Sequence, residues 1–375
     1  MPRTLVAISG GVDSSVAALL LKQQGHEVVC VHMHLYDDAP PSDRAARAVA
    51  EALEAPYHLL DLRDRFETTV IADFVSEYRQ GHTPNPCALC NPTVKWNALL
   101  EQKDRLACDY IATGHYVRLD REEKGRWPLR RGRDPHRDQS YFLWRLSQEA
   151  LAHTLFPLGD RLKSDVRALA REHGLHSADR AESREICFIP DNDYKRFLTD
   201  HEGGRGRGFE PGEIVLEDGT MLGQHPGTAF YTVGQRKGLG IAHPTPLYVL
   251  RTEPESRRVI VGPDDSLLSR EMVVCNVNWV STQPPGRSGS IINPLSASEG
   301  RDSEEHETGS PAFDARVKIR YQHPAAAARV EVLTDGSLRV IFAEAQRAIT
   351  PGQSAVIYDG DLLLAGGIIA PQLSV

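Results

Sequence analysis

The sequence predicts an α/β protein in three parts: a parallel sheet with crossover helices, a small central α+β domain, and a C-terminal β-barrel. Two observations carry this expectation. Up to about residue 190, strand and helix signals alternate, as they do where parallel strands are joined by helices. From about residue 205 onward, Gly and Pro punctuate short β-rich runs at close spacing, the pattern of a small barrel or sandwich.

Taken in order, Leu5-Val6-Ala7-Ile8 reads as a buried strand that ends in a Ser-Gly-Gly turn. A helix follows from Val16 to Gln24, stopped by Gly25. Glu27 to Met33 gives a second strand, residues 43 to 54 a second helix, and Asp109 to Gly114 a short strand entering a glycine turn. Later β-runs fall at 246–250, 257–261, 315–321, 328–333, 338–342 and 354–358. These give expected domains over 1–200, 201–268 and 269–375. Residues 283 to 311, rich in Ser, Gly, Pro and Glu, lack the apolar content to order themselves and read as a disordered insertion in the barrel.

Composition narrows the class. No apolar run reaches the roughly 18 residues of a membrane helix, and Met-Pro-Arg-Thr does not open a secretory signal, so a soluble cytoplasmic chain with no membrane partner is expected. With 51 acidic and 43 basic residues the net charge is −8, which excludes whole-surface attraction to nucleic acid but not a local footprint. One such stretch runs from Arg126 through Arg130, Arg131 and Arg133 to Arg137, against a single Asp134. Six cysteines in a reducing compartment should be free thiols. Cys30, Cys108 and Cys275 border apolar residues and read as buried and inert, whereas Cys87, Cys90 and Cys187 do not.

Ser9-Gly10-Gly11-Val12-Asp13-Ser14-Ser15 directly follows a strand and opens a helix. Paired glycines let the backbone approach a phosphate, while serine hydroxyls and helix N-terminal N–H groups donate to its oxygens. The string is neither a Walker loop nor a dinucleotide fingerprint. Further on, Asn91-Pro92 reads as an N-cap with proline at the first helical position, leading into a helix from Thr93 to Lys103. Cys90 would then lie just before a helix N-terminus, where the dipole lowers a thiol pKa.

The loop resembles that of the PP-loop ATP pyrophosphatases, whose Ser-Gly-Gly-x-Asp-Ser string holds the pyrophosphate of ATP while a substrate oxygen is adenylated. Further strings are similar to bacterial tRNA 2-thiouridylases: Thr83-Pro84-Asn85-Pro86, Cys90-Asn91, Ala112-Thr113-Gly114-His115-Tyr116, Asp138-Gln139-Ser140-Tyr141-Phe142-Leu143, Ile186-Cys187-Phe188-Ile189, Gly234 to Gly240, and Thr350-Pro351-Gly352-Gln353-Ser354. The likeness runs in order over nearly the whole chain. It implies a Rossmann-like PP-loop domain and 2-thiolation of the wobble uridine (U34) of tRNA. ATP with Mg²⁺ would adenylate C2, and a sulfur carried as a persulfide on Cys187 would displace AMP. Cys90 would attack the persulfide, leaving a Cys90–Cys187 disulfide.

By the same carry-over, Ala7, Ile8, Ser9, Gly10, Gly11, Val12, Asp13, Ser14, Met33 and Gly114 would line the ATP site. Asn85, Pro86 and Cys87 would flank the target base. Arg137, Asp138, Gln139, Arg320 and Tyr321 would touch the tRNA anticodon arm, with His115 and Gln353 influencing tRNA choice, although a histidine after a glycine turn also suits a structural role. The basic stretch running into Asp138 reads as phosphate contact, at Arg130 and Arg131 in particular. A sulfur donor protein, or sulfide, is the other implied partner.

One departure stands out: where familiar members often have aspartate, this chain has Cys87. Thiolates at i and i+3 can share a metal or cluster, with Cys187 as third ligand, so an open-site [4Fe–4S] cluster on Cys87, Cys90 and Cys187 stands beside the persulfide relay and beside structural zinc. Two other readings compete: a PP-loop ligase adenylating a small molecule, which leaves the cysteines without work, and a non-catalytic tRNA-binding protein, which intact Asp13, Cys90 and Cys187 oppose.

Overall fold

The computed structural model describes residues 1–37, 43–122, 125–175, 186–202, 206–285 and 311–371, so the insertion expected at 283–311 falls almost wholly outside the described residues. Two units are formed: one from Met1–Val75, Asn85–Leu198 and Asp361–Leu363, the other from Ser76–Pro84, Thr199–Gly360 and Leu364–Val375.

In the first unit, β1 (Arg3–Ala7) leads into α1 (Val12–Gln23), β2 (Glu27–His34), α2 (Asp43–Ala52) and β3 (Tyr57–Asp61). Later come α3 (Pro86–Cys90), α4 (Asn97–Arg105), β4 (Tyr110–Ala112), β5 (Thr154–Leu155) and α5 (Lys163–Glu172). The strands form one sheet in the order β3-β2-β1-β4-β5, every pairing parallel. Such a sheet is covered on both faces, which is why Leu5, Val6, Val29 and Val31 are all fully buried rather than alternating. Nine residues of α1, from Val12 to Leu21, are buried too. That helix ends where the Gly25 and His26 amides donate to the carbonyls of Lys22 and Leu21.

The alternating pattern is therefore realised, with differences at the ends of elements. The first helix starts at Val12 because the glycine pair makes the whole turn. The second stops at Ala52, ahead of Glu54 at φ 48°. Strand β3 buries none of its side chains fully, Leu59 and Asp61 being exposed, and gives no clear apolar signal. The largest correction concerns Asn91-Pro92. The helix begins six residues earlier at a second Asn-Pro pair, where the Asn85 Oδ1 accepts from the Ala88 N–H at 3.2 Å and Pro86 is the first helical residue. The chain then passes through Cys90 and a π-helical turn, Asn91–Trp96, straight into α4.

Because β1 has β2 on one side and β4 on the other, the connections reverse direction there. Ligands of open α/β sheets bind at such a reversal, outside the carboxyl ends of the strands. The loop after β1 and the turn after β4 meet at this point. A Cβ on Gly114 would lie 2.7 Å from the Ser14 nitrogen and 2.8 Å from the Asp13 carbonyl carbon.

The second unit holds two β-structures. Arg258–Gly262 pairs with Tyr248–Glu253 antiparallel and with Gly212–Leu216 in parallel, and Met221–His225 completes a four-stranded sheet over Ile214, Tyr231, Val249, Val259 and Val261. Six further strands, Leu268–Trp279, Ala312–Lys318, Ala326–Val332, Leu338–Arg347, Ser354–Asp359 and Leu362–Ile369, form a barrel. It closes because Leu268–Trp279 pairs with both Leu338–Arg347 and Leu362–Ile369. Closure removes the unpaired edges that an open sheet would expose. The long strand Leu268–Trp279 was not among the expected runs. Its alternation is broken where Asn276 takes φ 52° and the register shifts between Cys275 and Asn278. Among the described residues no helix is long and apolar enough to cross a membrane.

Gly114→Ala should force backbone apart at the strand reversal. We expect a loss of about 1–3 kcal/mol in stability, the usual cost of overpacking, together with weakened ATP binding, measured by thermal unfolding with and without nucleotide.

Candidate functional site

Ser9 to Ser14 turn the chain from β1 into α1. Gly10 sits at φ +72°, and a Cβ there would come within 2.5 Å of the Ala45 Cβ. Gly11 is the N-cap of α1 and no side chain caps it, so the helix N-terminus is left without a side-chain cap, as an anion-binding turn requires. The hydroxyls of Ser14 and Ser15 both donate to the Gly11 carbonyl, at 3.1 and 2.8 Å, and Ser14 Oγ accepts from the Ser9 amide at 3.1 Å. Ala7 and Ile8 lead into this turn, with Ile8 tied to β2 by its N–H to the Val31 carbonyl. Met33 is half-buried near the end of β2.

Asp13 has an internal partner that the sequence did not reveal. Lys163, the first residue of α5 and nearly buried, places its Nζ 2.7 Å from both carboxylate oxygens. The Tyr116 hydroxyl donates to Asp13 Oδ1 at 2.6 Å. The loop therefore carries a lysine at its rim, held by the loop's own carboxylate. Lys163 lies 150 residues from Asp13 and belongs to no motif, so no local signal marks it.

The second cluster is built by α3 and the turn after it. Cys87 and Cys90 are one helical turn apart, and Cys187 approaches from the chain that follows residue 185. These three thiols and the Lys95 ammonium lie within one another's electrostatic reach. Burial pushes Cys90 up to about 11 and Cys187 up to about 12, with Lys95 opposing in both cases. Cys87 is raised for the same reasons. The expected lowering at Cys90 is thus reversed: the thiol stands at the C-terminal end of α3, with no helix N-terminus behind it, and desolvation dominates. His115 joins the cluster. Its Nδ1 is 2.8 Å from Thr113 Oγ1, its ring is 5.5 Å from Trp96, and burial followed by the Lys95 charge lowers it to about 3, leaving a neutral imidazole.

The cluster reading of Cys87, Cys90 and Cys187 is not supported. Among the described residues, these three included, no group of three His, Cys, Asp or Glu side chains converges to hold a metal. All six cysteines are free thiols, and the charge that faces the trio is an ammonium.

Several other expected contacts turn inward. The Asp138 carboxylate is buried and accepts from Gly132 N–H, Ser140 N–H and the Ser140 hydroxyl, so it shapes a turn and does not face a ligand. Gln139 Oε1 accepts from the Tyr116 amide at 3.0 Å. Arg130 pairs with Asp120 and Asp361, both at 2.5 Å, and Arg118 also meets Asp361. Arg130 is therefore a structural ion pair in place of the expected phosphate contact, while Arg131 and Arg137 remain half-buried. Asn85 is occupied as a helix cap, and Asn91 Nδ2 donates to the Phe142 carbonyl. In the second unit, Gln353 Nε2 donates to the carbonyls of Thr83 and Pro84, Arg320 donates to the Arg347 carbonyl, and Lys318 sits over the Tyr321 ring.

Comparison with known proteins covers the same ground. Residues 2–191 match the tRNA methyl transferase HUP domain, 195–263 the tRNA methyl transferase PRC-barrel domain, and 269–369 the aminomethyltransferase beta-barrel domain. The tRNA-specific 2-thiouridylase MnmA of Geotalea uraniireducens is 45% identical over 98% of this chain and 94% of its own length. The proteins of that name from Geobacter metallireducens and Symbiobacterium thermophilum are 44% and 42% identical, over 98% of this chain and 96% and 92% of theirs.

Two outcomes are expected. Lys163→Met leaves the Asp13 carboxylate without its cation and removes a positive charge beside the loop, so ATP affinity should fall at least about tenfold, or about 1.4 kcal/mol, by titration calorimetry. With Cys90 at about 11, only roughly one thiol in ten thousand is ionised at pH 7. Its alkylation by iodoacetamide should then climb about tenfold per pH unit up to pH 9. A plateau near neutrality would show an activated thiolate instead.

Proposed function

The chain belongs to the tRNA-specific 2-thiouridylase family, and from that premise we propose that it replaces the C2 oxygen of the wobble uridine of tRNA by sulfur, cleaving ATP to AMP and pyrophosphate. The observation that carries this reading is the adjacency of two sites in one unit. Gly114 abuts Ser14 of the anion loop, and the next residue, His115, already feels the Lys95 charge that faces Cys90 and Cys187. Activation of an oxygen and its displacement by sulfur need this adjacency.

The chemistry divides accordingly. The uridine C2 oxygen attacks the α-phosphorus of ATP and pyrophosphate leaves, its charge received by the N–H groups of the Gly10-Gly11 turn and by Lys163. Ser9, Ser14 and the backbone of Ala7 to Val12 shape that pocket, with Met33 toward the nucleoside. Mg²⁺ accompanies the phosphates, as it does where few protein carboxylates are offered. The oxygens of Asp13 are already taken by Lys163 and Tyr116. Cys187 brings the sulfur as a persulfide. When the Cys90 thiolate attacks Cys187 Sγ, the sulfur–sulfur bond breaks, a Cys90–Cys187 disulfide forms and hydrosulfide departs. Hydrosulfide adds to C2, AMP leaves with the original oxygen, and a reductant restores both thiols. A donor protein carrying a persulfide replenishes Cys187: the Cys187 thiolate attacks the donor's outer sulfur and the donor cysteine leaves as its thiolate.

For the tRNA, Arg137, Gln139, Arg320, Tyr321 and Gln353 are the candidate contacts, with Asn85, Pro86 and Cys87 beside the base; the Asp138 carboxylate and Arg130 are engaged within the first unit. Methyl transfer, which the wording of two family models suggests, has no use for a pyrophosphate loop or a cysteine pair. Adenylation of a small molecule would use the loop alone.

Cys90→Ser and Cys187→Ser should each lower tRNA thiolation below detection, while tRNA-stimulated pyrophosphate release continues. Thiolated nucleoside measured after digestion and a coupled pyrophosphate assay give the two readouts. Thiolation at the parent rate by either variant would remove that cysteine from the mechanism.

A further inference from the structure

The stretch between Cys90 and Trp96 contains a proline inside a continuous helix. Pro92 has no N–H to donate, and in an α-helix its ring would press on the carbonyl four residues back. The chain answers with a π-helical turn over Asn91–Trp96, and the Thr93 hydroxyl donates to the Leu89 carbonyl at 2.7 Å. Both ends of the turn are pinned. Asn91 Nδ2 donates to the Phe142 carbonyl at 3.0 Å, and the fully buried Trp96 donates from Nε1 to Thr154 Oγ1 at 3.0 Å.

The change of register has a directional effect. In an α-helix, a residue five positions on points about 140° away, toward the far side. In an i→i+5 turn, residues five apart come onto one face. Cys90 and Lys95 are five apart, and Cys87 lies on the Cys90 face three residues earlier. Lys95 is therefore turned toward the sulfur atoms by the same proline that interrupts the helix.

Charge makes the placement notable. The groups that act on Lys95 are Cys90, Cys187 and Cys87, and His115 feels it in turn; among the described residues no carboxylate shares it. Burial disfavours the ammonium, and the three sulfurs favour it once they are ionised. A half-buried cation whose charged partners among the described residues are thiols is placed to meet anionic sulfur.

We infer that Lys95 is a further catalytic residue: its ammonium holds the anionic sulfur of the transfer step, as the Cys90 thiolate, the Cys187 persulfide and the departing hydrosulfide, and the Pro92 π-turn sets it on the cysteine face. This rests on the thiolation reading of the same site.

The test uses the full-length protein with Lys95→Met and Lys95→Arg. One arm needs neither tRNA nor ATP: alkylation of Cys90 and Cys187 by iodoacetamide from pH 7 to 9, followed by mass spectrometry. Lys95→Met should slow both reactions at least about tenfold, the effect of one pKa unit, and Lys95→Arg should recover most of the loss. The second arm measures thiolated tRNA formed per pyrophosphate released, and this ratio should fall in Lys95→Met and recover in Lys95→Arg. Parent-like alkylation in Lys95→Met overturns the proposal. So does an equal fall of thiolation and pyrophosphate release that arginine does not repair, since that marks a structural role. Failure of the parent protein to release pyrophosphate with tRNA would overturn the functional reading instead, and the alkylation arm would still decide the role of Lys95.

Discussion

Without a side chain at Gly114, the end of β4 can lie against the backbone of Asp13 and Ser14, and much of the first unit follows from that approach. The two residues after it serve opposite sides of the crevice. Tyr116 donates its hydroxyl to Asp13 on the nucleotide side, while His115 stands beside Trp96 on the sulfur side. A displacement of about 1 Å at this glycine would thus move the Asp13 loop and the cysteine cluster relative to each other, a misplacement of the size that catalysis tolerates poorly.

Two lysines in this unit show how differently a protein can treat a buried charge. Lys163 is satisfied in the resting molecule by both oxygens of Asp13. Lys95 faces thiols whose own ionisation is suppressed by burial, so its partners become anions only as the reaction runs. The first arrangement stabilises the loop before substrate arrives. The second leaves the field unspent until sulfur carries charge, which is where stabilisation speeds a reaction instead of merely strengthening a ground state.

Much of this was legible in the sequence. The Ser-Gly-Gly loop announced itself because strand, turn and helix signals were consecutive, and the β-runs after residue 312 each correspond to a strand of the barrel. What was not legible depended on distance or on competition between equal local signals. Asn85-Pro86 and Asn91-Pro92 carry the same capping signature, and only the packing of Trp96 and the hold of Asn91 on Phe142 decide that the second is interior. Arg130 looked like a phosphate ligand because one of its two counter-charges, Asp361, lies 231 residues away and the other, Asp120, meets it only through the pairing of two short strands. Lys163 and Lys95 stood in no motif, one for reasons of tertiary contact and the other because its direction depends on a helical register that sequence spacing alone does not report.

The carboxylate of Asp361 has a consequence for the birth of the protein. It belongs with Leu362 and Leu363 to the first unit, where it neutralises Arg118 and Arg130 and its carbonyl accepts from the Arg131 amide. Chains are made from the N-terminus at about 5–20 residues per second, and domains tend to fold as they emerge. Here the first unit cannot complete its own ion pairs until Asp361 has been synthesised, 231 residues after Arg130. Until then, among the described residues, Arg130 has only Asp120 as a counter-charge and Arg118 only Asp160, while Thr199–Gly360 of the second unit is synthesised. A product terminated before Asp361 would lack that keystone and leave the first unit's ion pairs incomplete.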